Sequence, residues 1–200
     1  MKTSIKTLIA SSLTAIVLST AVFSTGISAA ETTPVKISTV GNIKRVSVKG
    51  NVEVTLIQRS TPGVNYTEDN IGIVKIMQDG DNLKISSADK GLTKVIVYVN
   101  DIFRIEAADN AIVKTEGKLT TKYLQIFLKG NAHADINTST EGLYTVIKDN
   151  ADLKLSGSTD YHTLVMGKTQ KLTIDKFAAL KTNISSVETV AVEKEIAYIK

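Results

Sequence analysis

The chain has 200 residues and is 42% hydrophobic, which is enough apolar material for one or two domains with a buried core. Without Lys2 and Lys6, 22 basic residues face 20 acidic ones, and the lysines are scattered along predicted strands, so nucleic-acid binding is not indicated. The chain has no cysteine, which excludes a disulfide scaffold and a lipid-anchored lipoprotein.

Residues 1–30 have the pattern of a secretory signal peptide. Lys2 and Lys6 precede an uncharged, mostly apolar stretch from Leu8 to Phe23, and the small residues 28–30 resemble a cleavage site. Retention of this stretch as a membrane anchor is the alternative, although its many Ser and Thr residues disfavour a span. We expect residues 31–40 to be a linker and residues 41–200 to form a single domain without a further membrane segment.

The first strands of that domain surround Asn51. Val46 and Val48 precede Asn51 by five and three places, and Val54 and Leu56 follow it at the same distances. This alternation predicts strand, corner, strand with one buried face. Residues 73–85 then predict a hairpin around an Asp-Gly turn, and residues 94–99 a further apolar strand, so the N-terminal half contains a local antiparallel element.

The same template recurs three times between residues 103 and 155. Its corners fall at Asn110, Asn131 and Asn150, which are 21 and then 19 residues apart. A period of this size without a helical pattern predicts a β-solenoid of about 20 residues per coil. The residues expected to face inward are Phe103, Ile105, Ala107, Val113, Thr115, Leu124, Ile126, Leu128, Ala134, Ile136, Leu143, Thr145, Ile147, Leu153 and Leu155.

Asparagine is the residue common to these corners. It tolerates the left-handed backbone of a sharp bend, and stacked amides can hydrogen-bond from coil to coil. We therefore predict a structural ladder of Asn51, Asn110, Asn131 and Asn150, in which the preceding residues Asp109, Gly130 and Asp149 suit the same bend.

The repeat continues less regularly after Asn150. Thr169 takes the place of the asparagine in the fourth copy, and residues 193–200 are expected to cover the open end of the coil. The inward positions expected in the last two copies are Leu164, Met166, Leu172 and Ile174, then Leu180, Ile184, Val190 and Val192.

Two other repeat classes fit less well. Leu124, Ile126, Leu128 and Asn131 match the strand of a leucine-rich repeat, but no helical return follows. A calcium-binding nonapeptide coil would need a Gly-Gly-x-Gly-x-Asp string, which is absent.

The segment VSVKGNVEVTL from Val46, the DGDNLKI hairpin and the Asn-Ala corners at intervals of about twenty residues resemble the head GIN domain family of bacterial auto-transporter adhesins. The resemblance covers residues 41–192. It implies a single-stranded, right-handed parallel β-helix in an exported protein with an adhesive role and no catalytic residues.

The residues offer little chemistry beyond binding. His133 is expected at the surface and His162 in an inward column. Neither has metal-ligand spacing, so no cofactor, metal or enzymatic activity is expected. A polysaccharide-acting enzyme stays the alternative because such enzymes also use β-helices; the nearest candidate for an acidic row is Asp109, Asp149 and Asp152, which Gly130 interrupts.

Three tyrosines are the candidate binding residues. Tyr123, Tyr144 and Tyr161 adjoin inward positions of successive copies, so they are expected on one outward face, where aromatic rings can stack on a sugar or contact a protein. The expected partner is a cell-surface glycan or protein, and the expected location is the periplasm, the outer surface or the medium. A structural envelope protein without a ligand is a further alternative, and the oligomeric state is left open.

Overall fold

Alternating apolar and polar residues fold this chain into strands. The computed structural model describes residues 41–67, 73–168 and 170–186. The predicted signal peptide and linker lie outside the described residues, as do Thr169, Val190, Val192 and residues 193–200. The strands are β1 (Arg45–Gly50), β2 (Val52–Gln58), β3 (Gly63–Tyr66), β4 (Lys75–Asp79), β5 (Asn82–Ser87), β6 (Thr93–Val99), β7 (Arg104–Ala108), β8 (Ile112–Glu116), β9 (Leu119–Thr120), β10 (Tyr123–Leu128), β11 (His133–Ile147), β12 (Asp152–Met166) and β13 (Lys171–Ser185).

All thirteen strands belong to one mixed sheet. Most neighbours pair in parallel, but β3 pairs with β6 and β4 pairs with β5 in the antiparallel sense. The all-β class is therefore confirmed, and the expected hairpin is present at residues 75–87. The pairing of the whole sheet is mixed, so it does not by itself establish a right-handed parallel β-helix. The described residues include no helix with the length and hydropathy of a membrane span.

In the C-terminal half, successive strands pair at a nearly constant offset in the sequence. Ile105 pairs with Ile126, Ile126 with Thr145 and Thr145 with Leu164, so the offsets are 21, 19 and 19 residues. Their side chains are at most 3% exposed. Burial of each large apolar side chain contributes about 1.5–3 kcal/mol, which is how stacked coils of short strands become stable without metals or disulfides.

The first copy of the template does not lie at the end of the stack. Val46 in β1 pairs with Ile105 in β7 on one side and with Leu83 in β5 on the other. In the same way, Val54 in β2 lies between Val113 in β8 and Val95 in β6. The order of the strands in space thus differs from their order in the chain, because β3, β4, β5 and β6 lie on the far side of the first copy.

The two ends of the stack differ. At one end the short strands β3 and β4 cover the edges of β6 and β5. At the other end lies β13, which pairs only with β12 within the described part of the chain. Leu172 and Ile174 occupy the inward columns of Leu153 and Leu155 as expected, but Ile174 is 57% exposed because no described residue covers it.

One expected core residue is wrong. The sequence pattern predicts Leu180 at an inward position of the last copy, yet its side chain is 85% exposed. Phe177 and Ala179 alternate with it and are its partly buried neighbours, so Leu180 points to the outside of β13.

Candidate binding face

The outward side chains of β10 and of the second halves of β11 and β12 form one face, which we call the aromatic face. Tyr123 pairs with Gly142, and Gly142 pairs with Tyr161. The two tyrosines therefore lie two strands apart with a glycine between them, and they are 57% and 63% exposed. A side chain on Gly142 would stand 2.9 Å from Cδ1 of Tyr123, so this glycine leaves room for the ring.

Tyr144 lies on the same face but in another column. Its register partners are Gln125 and Thr163, so it is displaced along the strand from Tyr123 and Tyr161. Its ring is half-buried and packs on Phe127, with a centroid distance of 5.8 Å and a tilt of 56°. The three tyrosines share a face, but they do not form one row.

Arg104 extends the aromatic face onto β7. Its guanidinium lies 5.1 Å from the ring centroid of Phe127, within cation–π range. Its Nε and Nη2 donate to Oε1 of Gln125 at 2.9 and 2.7 Å, which holds the guanidinium flat against the next coil. Arg104, Phe127 and Tyr144 thus form a stacked, hydrogen-bonded cluster.

A groove of about 580 Å³ continues from this cluster across β1 and β5. Its floor includes Phe127 and Val146, and Val146 is 7% exposed although it alternates with inward residues. Four lysines line it: Lys49, Lys84, Lys129 and Lys148. The groove is not predictable from the sequence alone, because the residues that line it are distant in the chain. The one local signal is that Phe127 and Val146 are apolar residues at outward positions.

The four corner asparagines lie in one hydrogen-bonded row. Asn110 Nδ2 donates to Asn51 Oδ1 at 3.2 Å, Asn131 to Asn110 at 3.2 Å, and Asn150 to Asn131 at 3.5 Å. Asn51 Nδ2 ends the row by donating to the carbonyl of Asp89 at 2.9 Å. These amides link four coils along an exposed edge, and none of them belongs to the aromatic face.

The left-handed residue of each corner is the one before the asparagine. Asp109, Gly130 and Asp149 have φ angles of 62°, 71° and 57°. Asp149 Oδ2 also accepts a hydrogen bond from the Gly130 amide at 2.8 Å. Two of the three aspartates proposed for an enzymatic row, Asp109 and Asp149, therefore form corners, whereas Asp152 begins β12 and lies beside His133.

The histidines and nearby aspartates form no reactive cluster. His133 Nδ1 lies 3.1 Å from Asp152 Oδ2 at the surface. His162 is 2% exposed and its Nε2 lies 2.7 Å from Thr145 Oγ1; burial lowers the pKa of its imidazole. Among the described residues, no three His, Asp or Glu side chains come together as metal ligands.

Comparison with known proteins identifies relatives of this architecture. The family model described as "Putative auto-transporter adhesin, head GIN domain" matches residues 42–188. A crystal structure described as "a putative adhesin" from Bacteroides fragilis is similar at a TM-score of 0.65 and 16% identity, over 74% of this chain and 72% of that one. One with the same description from Parabacteroides merdae has a TM-score of 0.54 and 15% identity, over 74% and 75%.

A third similar structure, described as a "Putative lipid binding protein" from Parabacteroides distasonis, has a TM-score of 0.53 and 11% identity, over 74% of this chain and 76% of that one. At these identities the structural likenesses show a shared fold. No curated protein sequence matches the chain.

Proposed function

We infer the function of this chain from its family and its surface: it belongs to the head GIN domain family of auto-transporter adhesins. We propose that it is an exported, non-catalytic binding module of the bacterial envelope or cell surface, and that it adheres through the aromatic face. The pattern of residues 1–30 supports export to the periplasm, the outer surface or the medium.

The observation that carries the proposal is the exposure of Tyr123 and Tyr161 on a rigid sheet. Both rings are more than half exposed on strands whose opposite sides are buried in the core. Exposed aromatic rings on a fixed platform can stack on the apolar faces of sugars or seat a protein side chain without loss of backbone entropy. Arg104, fixed beside Phe127, adds a cation to the same surface.

The proposal includes the finer description of the fold as a right-handed, single-stranded β-helix. The parallel pairs at offsets of 19 and 21 residues support successive coils in the C-terminal half. A crossover between parallel strands is right-handed in about 98% of cases, which supports the hand. The antiparallel strands β3 and β4 are then additions at one end.

A glycan array and a pull-down on bacterial surfaces test the adhesive function. We expect the chain to bind, and a Tyr123→Ala/Tyr161→Ala variant to lose most of that binding while melting at the same temperature. Met77→Ala is the control, because Met77 is also exposed, at 45%, but lies on β4. Equal binding by the double variant and the parent chain would remove the aromatic face from the proposal.

The enzymatic alternative is tested directly by incubation with acidic polysaccharides, with and without calcium. We expect no cleavage, because Asp109 and Asp149 occupy left-handed corners and Asp149 is bonded to the Gly130 amide. Reproducible cleavage that survives further purification would overturn the non-catalytic function.

The groove favours a second candidate function, the binding of an amphiphilic anion such as a fatty acid. Phe127 and Val146 provide an apolar floor, and Lys129 and Lys148 make no ion pair with any described residue. Displacement of a fluorescent fatty acid tests this. Val146→Glu should abolish displacement, and a chain that never displaces the probe rules the candidate out.

A further inference from the structure

The last strand of the described chain exposes an apolar edge. β13 extends over 15 residues, and its inward side chains form the outermost layer of the core. Ile174 and Ile184 are 57% and 67% exposed there. A shallow cavity of about 190 Å³ opens at this layer, with His162 and Leu164 of the coil below it. Long, apolar edge strands of this kind pair readily with another strand.

At the opposite end of the stack, the described edge strands β3 and β4 are short, with 4 and 5 residues. They cover this end, and four of the five residues of β4 are exposed, including Lys75, Gln78 and Asp79. Short antiparallel strands with charged side chains are a common protection against edge pairing. Ile73 and Met77 are also exposed at that end, at 77% and 45%, but β4 has only 5 residues whereas β13 has 15, so β13 is the longer edge available for pairing.

We propose that two copies of this chain associate end to end, with β13 of one copy antiparallel to β13 of the other. The two-fold axis passes beside Ala178. This register places Leu172 opposite Ile184, Ile174 opposite Thr182, and Phe177 opposite Ala179 of the second copy. An isologous pair of this kind closes on itself, because each contact occurs twice.

The register follows from the spacing of the inward residues. The inward residues of β13 come in three pairs, at 172 and 174, 177 and 179, and 182 and 184. A corner separates each pair from the next, and the three pairs are spaced symmetrically about Ala178. A shift of the register by two residues places Phe177 against Lys181, or Ile174 against Leu180, which points outward. The symmetric register alone sets every inward side chain against another inward one.

Charge complementarity favours the same partner. The symmetric register places Asp175 of each copy opposite Lys181 of the other, so the interface contains this pair twice. Both side chains are exposed, and neither forms an ion pair within the described part of the chain. Directly opposed strand residues of opposite charge stabilise pairing, whereas like charges in those positions oppose it.

The test is a charge exchange measured by sedimentation velocity, on chain purified after export from a bacterial host. We expect a monomer–dimer equilibrium that stops at the dimer. Asp175→Lys and Lys181→Asp should each raise the dimer dissociation constant about tenfold or more, because like charges then oppose each other twice. The double variant D175K/K181D should recover the parent affinity to within about threefold. Lys118→Asp, at an exposed position next to β9 and away from β13, should change nothing.

Thermal melts of the single variants should match that of the parent chain, which separates dimerisation from folding. A chain that is monomeric at every concentration, a mass that grows beyond the dimer, or a double variant that fails to recover would overturn the proposal. A chain truncated after Ser186 is measured in the same way. If only the truncated chain dimerises, the C-terminal segment of the chain itself is the occupant of this edge, and the proposal fails. Loss of ligand binding by the tyrosine variants would leave the result unaffected.

Discussion

Gly50→Ala and Gly117→Ala are a matched pair that isolates the close approach of two backbones. Both glycines have left-handed backbones, with φ angles of 84° and 80°. A Cβ on Gly50 would stand 1.9 Å from the carbonyl oxygen of Ser87, its register partner in β5. A Cβ on Gly117 would meet nothing within 4 Å. The two substitutions therefore share the conformational strain and differ only in the steric conflict.

The expected losses follow from that difference. A left-handed alanine costs about 1–2 kcal/mol, which is the whole expected loss for Gly117→Ala. In Gly50→Ala, β1 and β5 must separate, which adds about 1–3 kcal/mol of overpacking and about 0.5–1.5 kcal/mol for a weakened ladder hydrogen bond. We therefore expect Gly50→Ala to lose about 2.5–6.5 kcal/mol.

Urea unfolding of the purified chain, followed by circular dichroism, measures both losses. The slope of the unfolding free energy against urea should be the same in the two variants, so that the midpoints report stability. Equal losses in the two variants would mean that β1 and β5 are not paired at Gly50 and Ser87.

Three further predictions concern the core, the ladder and pH. Ile126→Asp should unfold the domain, because it removes a fully buried side chain and buries a carboxylate. Lys129→Asp, on the surface, should change the free energy of unfolding by less than about 0.5 kcal/mol, and thermal melts compare the two variants. Asn131→Ala removes two ladder hydrogen bonds and should cost about 1–3 kcal/mol in urea unfolding. Burial lowers the pKa of His162 in the folded chain, so the unfolded chain binds the proton more tightly. The contribution of His162 to stability should therefore be complete above about pH 6.5 and fall as the pH drops below that value. Thermal melts at several pH values should show a smaller fall for His162→Gln.

The repeat itself could be predicted because its chemistry is local. The alternation around each corner asparagine identifies inward residues without reference to the rest of the chain, and Ile105, Ile126 and Leu153 are fully buried. Register at a period of about 20 then follows, because a slip by one residue would turn every buried side chain outward.

The features that depend on which coils are neighbours could not be predicted. Val46 pairs with Leu83 on one side and Ile105 on the other, and both are apolar strand residues. The sequence pattern alone therefore does not show that β1 lies between β5 and β7. The contact of Arg104 with Phe127 joins positions on different coils. Tyr123 precedes its inward neighbour and Tyr144 follows its own, so adjacency to an inward residue indicated the face but not the column.

The constant offset between β11 and β12 bears on how such a module changes length in evolution. Each paired position from His133 to Ile147 lies beside the residue 19 places later. Duplication or loss of one such period leaves the inward and outward positions in register on both sides of the join. The stack of coils can therefore lengthen or shorten in steps of about 4.8 Å per coil. Such a change leaves the first and last coils of the stack, and their surfaces, unchanged.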